Sequence, residues 1–551
     1  MKAADPVSRQ ALGQSDPTRG AGATCDSKTD ELTAADTGTS GPEPLVKEAA
    51  MAARNSVTLA SAVLASWAVG LVGRLIIPRY LGPQHFGAFQ FADYCASSFF
   101  VISVLGIDTY IRKEVGRRRE HASEFFGGLL LLRLAASAVA MALMFAMLIL
   151  SHKPVHVMRL VAIFSAYQVF AILNTSFGAM LSSIGAVKGA SIANVLTKML
   201  WAGGIVAVAL AGWRAEAFAL TLVAAEIVKS LLLLRLVRRA VGLRFQIDPV
   251  ATRDVVISSL PFWVVSITGT LYITADITLM AFRATEIEVG WYGAATSLVN
   301  VTMILAPVIH DVFLPMSSLA AARSSEELNT LARRAFEVLI GLVTPIAVFA
   351  GLAADFLVYG IFGDRFAPAV MIFRLLCPVL FLVYVSILPA LLLTRLDRGW
   401  TVTWVSIAVL SLNLALNWFA IPWGSRLLGA GGAGIAAAVV WFVCEAANVA
   451  TFTVILSDRL FDRRNLTVIG KTAGAAAAVL TVHHVWGSSV LSFAGCAVLY
   501  SALVVATGAV RVAELRAVAA RRIRYRREGR RSMSEPTKRQ TTHAGTMITT
   551  R

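Results

Sequence analysis

Arg74 and Asp276 are ionisable side chains set inside long apolar stretches of the chain. A charge at the centre of a membrane span costs at least about 2.5–3.5 kcal/mol on insertion scales, so it should face a wet cavity or a partner. A guanidinium presents a planar fork that fits phosphate or carboxylate oxygens. A carboxylate at similar depth is suited to pairing with that guanidinium or to carrying a proton or a sodium ion. Asp93, Arg133 and Arg374 lie in further apolar runs, as do Lys198, Glu226 and Lys229. Glu226 and Lys229 are three apart and share a helix face. Asn413 and Asn417 are four apart, so their amides also share a face, and they suit either sugar hydroxyls or contacts between helices worth about 0.6 kcal/mol each. Asp108 and Asp311 fall at the ends of apolar runs, and Asp108 beside Arg112 and Lys113 suggests a gate or a loop-fixing network.

Plainer readings stand beside these. Arg74 and Arg133 have stems long enough to snorkel to a membrane surface. Arg74 and Asp276 could form a static salt bridge. Lys198, Glu226 and Lys229 read first as a neutralising set inside one lobe and second as an ion-coupling site. His310, beside Asp311, reads as a surface or gate residue.

The elements that must hold these residues follow from composition. Of 551 residues, 57% are hydrophobic and 15% charged. The mean hydropathy is +0.69. Soluble chains are about one quarter charged. The composition excludes a disordered chain, a collagen and an ordinary cytosolic enzyme, and predicts an all-α polytopic membrane protein. About fourteen apolar segments of roughly 20 residues are each long enough to cross a bilayer core of about 30 Å. They are 56–78, 88–111, 125–150, 156–181, 188–211, 215–235, 256–282, 290–315, 334–358, 367–394, 399–422, 432–456, 467–486 and 489–510. Residues 1–53 are polar and aperiodic and read as a disordered cytoplasmic tail. The segment 511–551 is rich in arginine, including Arg521, Arg522, Arg524, Arg526 and Arg527, and reads as a cytoplasmic contact to anionic lipid headgroups rather than to nucleic acid. With both termini placed in the cytoplasm, Lys and Arg concentrate in alternate loops down the whole chain, as the positive-inside rule requires.

An offset of 203 residues carries Phe86-Gly87 onto Val289-Gly290, Asp108 onto Asp311 and Ser56 onto Ser259. Three matches at one offset suggest a duplicated six-helix unit. An even helix count gives the two copies the same orientation, related by a pseudo-two-fold axis along the membrane normal, with a cleft between them. The predicted organisation is a lobe over 54–240, a second over 241–460, and two added helices over 461–510. Such a design is that of a transporter.

The stretch Gly73-Arg74-Leu75-Ile76-Ile77-Pro78-Arg79-Tyr80-Leu81-Gly82-Pro83-Gln84-His85-Phe86-Gly87 resembles the first-helix signature of Wzx-type polysaccharide (O-antigen or exopolysaccharide) flippases. These belong to the superfamily, known as MOP, that also holds MATE multidrug extruders and the lipid II flippase. Leu271 to Ile277, Val289 to Ala295, and Leu412 to Asn417 with Ile421-Pro422 resemble later parts of the same pattern. The likeness covers about residues 55 to 510. Thr285-Glu286 stands where the first copy has Gly82-Pro83, and the two long tails depart from the pattern.

The resemblance implies flipping of a polyprenyl-diphosphate-linked oligosaccharide across a bacterial inner membrane by alternating access. The membrane lipids, a polysaccharide polymerase and chain-length proteins would be its partners. The charges and amides within the spans then give Arg74, Asp276, Asp93, Arg374, Asn413 and Asn417 as substrate-contact candidates, with Asp276, Glu226 and Lys198 as ion-coupling candidates. A cation-coupled drug exporter and a lipid II flippase are the alternatives. An anionic cargo favours a cationic cavity, and organic cations favour an acidic one. The sequence has no G-x-x-x-x-G-K-[ST] phosphate loop and no H-E-x-x-H zinc motif. Its five cysteines are widely spaced and offer neither a disulfide framework nor a metal site. Neither cofactor nor catalysis is therefore expected.

Overall fold

The structure is a computed structural model that describes residues 42–108, 111, 121–241, 249–303, 305–456, 463–487 and 490–508. The chain divides into two units, Met1–Thr58 and Leu59–Arg551. In the first unit the chain is helical from Pro42, inside the stretch expected to be an unstructured tail. The local sequence explains this, because Pro42 suits a first helical turn and Glu43, Leu45, Lys47, Glu48, Ala49 and Ala50 are good helix formers. The second unit is described from here on. Arg112 and the segment 511–551 lie outside the described residues.

All the regular structure is helical among the described residues. Helix α1 (Pro42–Phe100) carries the first two expected spans, and a kink replaces the loop between them. Gly82 makes the kink with φ 71° and ψ 172°, a backbone region only glycine enters freely, and Pro83 then starts the second arm. A 3-10 turn, Val101–Val104, follows. Then come α2 (His121–Leu150), α3 (Val155–Ser183), α4 (Val187–Ala211), α5 (Ala215–Val241) and α6 (Pro249–Arg283).

The eighth expected span is two helices, α7 (Glu286–Thr302) and α8 (Leu305–Arg323). Pro307 explains the break, since it lacks an N–H and its ring crowds the carbonyl four residues back. Tyr384 compensates by donating its hydroxyl to Thr302 O at 2.5 Å. A freed carbonyl at membrane depth is tolerated when a neighbouring helix satisfies it in this way.

The remaining helices are α9 (Ser325–Leu352), the short α10 (Ala354–Ile361), α11 (Pro368–Arg395), α12 (Gly399–Leu427), α13 (Gly432–Ile455), α14 (Arg463–Trp486) and α15 (Val490–Ala506). Eleven helical segments among the described residues are long and apolar enough to cross a membrane, which makes this a multi-pass helical membrane protein. The rest of the expected fourteen fall on the two arms of α1 and on α15, whose apolar stretch Ser492–Ala506 is shorter.

One apolar core runs through both halves of the helical assembly, from Phe86, Phe89 and Phe164 to Phe336, Phe373 and Leu392. Many large apolar side chains also face outward, including Leu143, Leu210, Phe356, Trp404 and Phe419. On a soluble protein such a surface would be anomalous. On a bilayer-spanning one it is the lipid face.

The halves meet most closely where the second arm of α1 crosses α7. A Cβ on Gly87 would lie 1.8 Å from Glu286 O, and one on Gly290 would lie 1.9 Å from Pro83 O. Only hydrogen fits at either position. Helix α7 also caps α13: Glu288, buried, accepts a 2.8 Å hydrogen bond from the amide of Gly431 just before that helix. A carboxylate there complements the positive end of the helix dipole.

Candidate functional site

Arg74 and Asp93, two of the residues expected in the cavity, come together there with Lys198, which was expected beside Glu226 and Lys229. Arg74 on the first arm of α1, Asp93 on the second and Lys198 on α4 line one cavity of about 350 Å³. The kink at Gly82 folds the two arms of α1 back on each other and so brings Arg74 toward Asp93. The Lys198 ammonium sits 5.0 Å above the Trp201 ring, a cation–π contact that steadies a charge in an apolar setting. Arg74 is exposed to this space and forms no ion pair among the described residues. The wall opposite comes from the second half of the chain, through Thr274 of α6 and Ser297 and Asn300 of α7.

Uncharged polar groups complete the lining. Tyr94, Tyr167 and Gln168 face it, with Gln168 Nε2 donating to Ser97 Oγ at 2.6 Å. Gln90 Nε2 donates to Gly293 O at 3.3 Å and to Ser297 Oγ at 3.4 Å, joining the two halves across the cavity floor. The cavity thus offers two cations, one carboxylate and a ring of hydroxyl and amide groups.

Asp276 is not in this group. It is buried in the second half, where its carboxylate accepts hydrogen bonds from Tyr292 Oη (3.1 Å) and Asn417 Nδ2 (2.9 Å). Asn417 Nδ2 also donates to Asn413 Oδ1 at 3.2 Å. The two asparagines therefore meet Asp276, as their spacing on one face allowed, while the expected Arg74–Asp276 pairing is replaced by these neutral partners.

One turn before Asp276, Tyr272 donates to Glu445 of α13, which is 1% exposed and also accepts from Asn448 Nδ2 at 3.1 Å. No Lys or Arg forms an ion pair with either carboxylate among the described residues. Asn417 Oδ1 and Asn448 Oδ1 are buried without hydrogen-bond partners. Two carboxylates and two unsatisfied amide oxygens are the donor chemistry that suits a hard cation or a proton.

The remaining candidates are elsewhere. Glu226 accepts from Asn174 Nδ2 at 2.6 Å and pairs with Lys229 at 3.6 Å, so the neutralising reading describes that pair, while Lys198 turns to the cavity. Arg374 pairs with Asp355 and lines an apolar crevice between α9, α11 and α14, away from the polar cavity. Arg133, expected to snorkel, is instead 2% exposed. It donates to Asp108 Oδ1 (3.0 Å), Val104 O (2.9 Å) and Ile172 O (3.1 Å). The gate candidate Asp108 thus has Arg133 as its partner. Asp311 lies on α8, and its side chain is outside the described set.

At the opposite end from Asp108 a second group of contacts joins the halves. His156 Nε2 lies 3.1 Å from Glu286 Oε1, Arg79 donates to Gly360 O at 2.8 Å, and Lys153 donates to Ala281 O.

Glu445 was missed in the sequence although it obeys the rule that found Asp276, a carboxylate within an apolar span. Tyr272, Tyr292, Gln90 and Asn174 gave no comparable signal, because a polar tip on an apolar or short body barely disturbs hydropathy.

Residues 52–321 match the family model described as polysaccharide biosynthesis protein. No curated protein matches the sequence. Among solved structures, the lipid II flippase MurJ in an inward closed conformation is 12% identical and aligns over 83% of this chain and 99% of its own with a TM-score of 0.66. An inward-facing MATE family multidrug resistance transporter of the MOP superfamily is 16% identical over 73% of this chain and 94% of its own, with a TM-score of 0.55. The MATE multidrug transporter DinF-BH is 16% identical over 74% and 95%, with a TM-score of 0.52. Identities this low establish a shared fold.

Proposed function

We propose that this chain, whose residues 52–321 match the polysaccharide biosynthesis protein family, moves a polyprenyl-diphosphate-linked oligosaccharide across a bacterial inner membrane by alternating access. The observation that carries this reading is the polar cavity between the two halves, in which Arg74 and Lys198 outnumber Asp93. A diphosphate needs cations that are not already neutralised, and the Arg74 fork is open to one. Asp93 offsets part of that charge while the cavity is empty. Tyr94, Tyr167, Gln168 and Asn300 supply donors and acceptors for sugar hydroxyls.

The two halves act as six-helix lobes related by a pseudo-two-fold axis, and α14 and α15 pack outside them. The His156–Glu286, Arg79 and Lys153 contacts close one end, and the Arg133–Asp108 network stiffens the other. The loop charges support an orientation with the second of these ends, and both termini, in the cytoplasm. The flipped product would pass to a polymerase and chain-length proteins in the outer leaflet.

A second reading rests on Asp276 and Glu445. Buried carboxylates without a basic partner suit a coupling proton or sodium ion, as a cation-coupled exporter of organic cations would also need. In a flippase the same pair supplies the driving force.

Deleting the gene and assaying surface polymer together with lipid-linked intermediates tests the choice. Loss of polymer, with intermediates trapped on the cytoplasmic side, is the expected result. Intact polymer with raised accumulation of a cationic dye would transfer the protein to the drug-exporter class.

A further inference from the structure

A crevice of about 910 Å³ opens between the two halves on the far side of the helix pair that walls the polar cavity. Its depth is apolar, lined by Phe99, Ile102, Met147, Ile267, Leu271 and Leu279. Its rim carries two cations, Lys153 in the turn after α2 and Arg283 at the end of α6. Neither forms an ion pair within salt-bridge distance among the described residues. Lys153 donates to Ala281 O, and aromatic faces hold both cations. The Lys153 ammonium lies 5.3 Å from the Phe91 ring centre and 5.0 Å from that of Phe282, and the Arg283 guanidinium lies 4.4 Å from that of Trp418. Burial pushes the Lys153 ammonium below its ordinary range, with the more distant Glu286 opposing the shift. These are cations short of counter-charge.

We infer that this crevice is a binding site for an anionic phospholipid, with one acyl chain between the halves and its phosphate between Lys153 and Arg283. Charge complementarity selects the headgroup, since two unpaired cations above an apolar slot fit a phosphate on a hydrocarbon chain. The cargo fits less well. Ser98 Oγ lies 2.7 Å from Thr274 Oγ1 and 3.2 Å from Thr278 Oγ1, and this hydroxyl contact separates the crevice from the cavity of Arg74. The occupant therefore sits beside the transport path, wedged between α1 and α6, where its presence biases how the halves move. The inference does not depend on what is transported.

Native mass spectrometry of the full-length protein, exchanged into phosphatidylglycerol or phosphatidylcholine at equal concentration, tests it. Phosphatidylglycerol adducts should survive activation that strips phosphatidylcholine. K153A/R283A should lower their retention at least tenfold, while R426A, which removes an arginine outside the crevice, leaves it unchanged. L271W, which fills the slot and keeps both charges, should also lower it, and it serves if the double variant aggregates. Equal retention of the two lipids, equal loss in R426A, or full retention in L271W would overturn the site. An adduct of lipid-linked oligosaccharide mass lost with K153A/R283A would assign the crevice to the cargo and also overturn it.

Discussion

Gly87 and Gly290, 203 residues apart in the chain, lie against each other's helices in a reciprocal contact. Gly87 fits under Glu286 O, and Gly290 fits under Pro83 O. Pro83 and Glu286 are themselves 203 apart, so each contact maps onto the other when the two halves are exchanged. Gln90 donates to Gly293, its own counterpart at the same offset. Reciprocity of this kind is the pattern of a two-fold contact. It puts the repeat and the cavity floor at the same place.

Replacing Gly87 by valine should force α1 and α7 apart. The obstruction is backbone, which has no rotamer to yield, so the cost exceeds the about 1–3 kcal/mol typical of overpacking. Low accumulation and a lowered melting temperature in detergent are the expected outcome, with the same loss for G290V. G178A, where an added methyl meets nothing within 4 Å, is the control and should melt like the parent.

Removing the Arg133 side chain takes away the cation beside Asp108 and the guanidinium donor to Asp108 Oδ1, Val104 O and Ile172 O. Breaking a buried pair from one side costs about 3–5 kcal/mol. R133A should therefore lose far more melting temperature than D108N, because Asp108 is the more exposed partner. R133K keeps the charge but not the fork and should fall between them. Equal melting temperatures for R133A and the parent would contradict the buried network.

D276N and E445Q should uncouple transport from its cation. Each variant keeps an acceptor for its tyrosine partner, so the local packing survives while the charge is lost. In proteoliposomes with an imposed proton or sodium gradient, the gradient should drive the parent and leave D276N at least tenfold slower. An unchanged gradient dependence in D276N/E445Q would remove both residues from coupling.

Charge within apolar runs was legible from the sequence, and it found Arg74, Asp93, Lys198 and Asp276. Spacing on a helix face found the meeting of Asn413 and Asn417. Span depth gives the height of a residue in the membrane but not its direction around the helix. Arg74 and Asp276 share a height, yet Asp276 turns into the second half toward Tyr292 and Asn417. The same limit hid the partners of Arg133 and Arg374. Arg133 turns inward to Asp108, and Arg374 turns toward Asp355. The break at Met303 was written in Pro307, but only the packing of α11 supplies the Tyr384 hydroxyl that makes it tolerable.

Arg74 carries the central claim, and the transbilayer distribution of lipid-linked oligosaccharide in cells tests it most directly. A deletion strain should be complemented with the parent gene, R74A or R74K, all confirmed in the membrane at equal levels, and the intermediates probed from the outer side. The parent should expose them and restore surface polymer. R74A should leave them on the cytoplasmic side and cut surface polymer at least tenfold, with R74K recovering part of it. Exposure and polymer at parental levels in R74A would contradict the account.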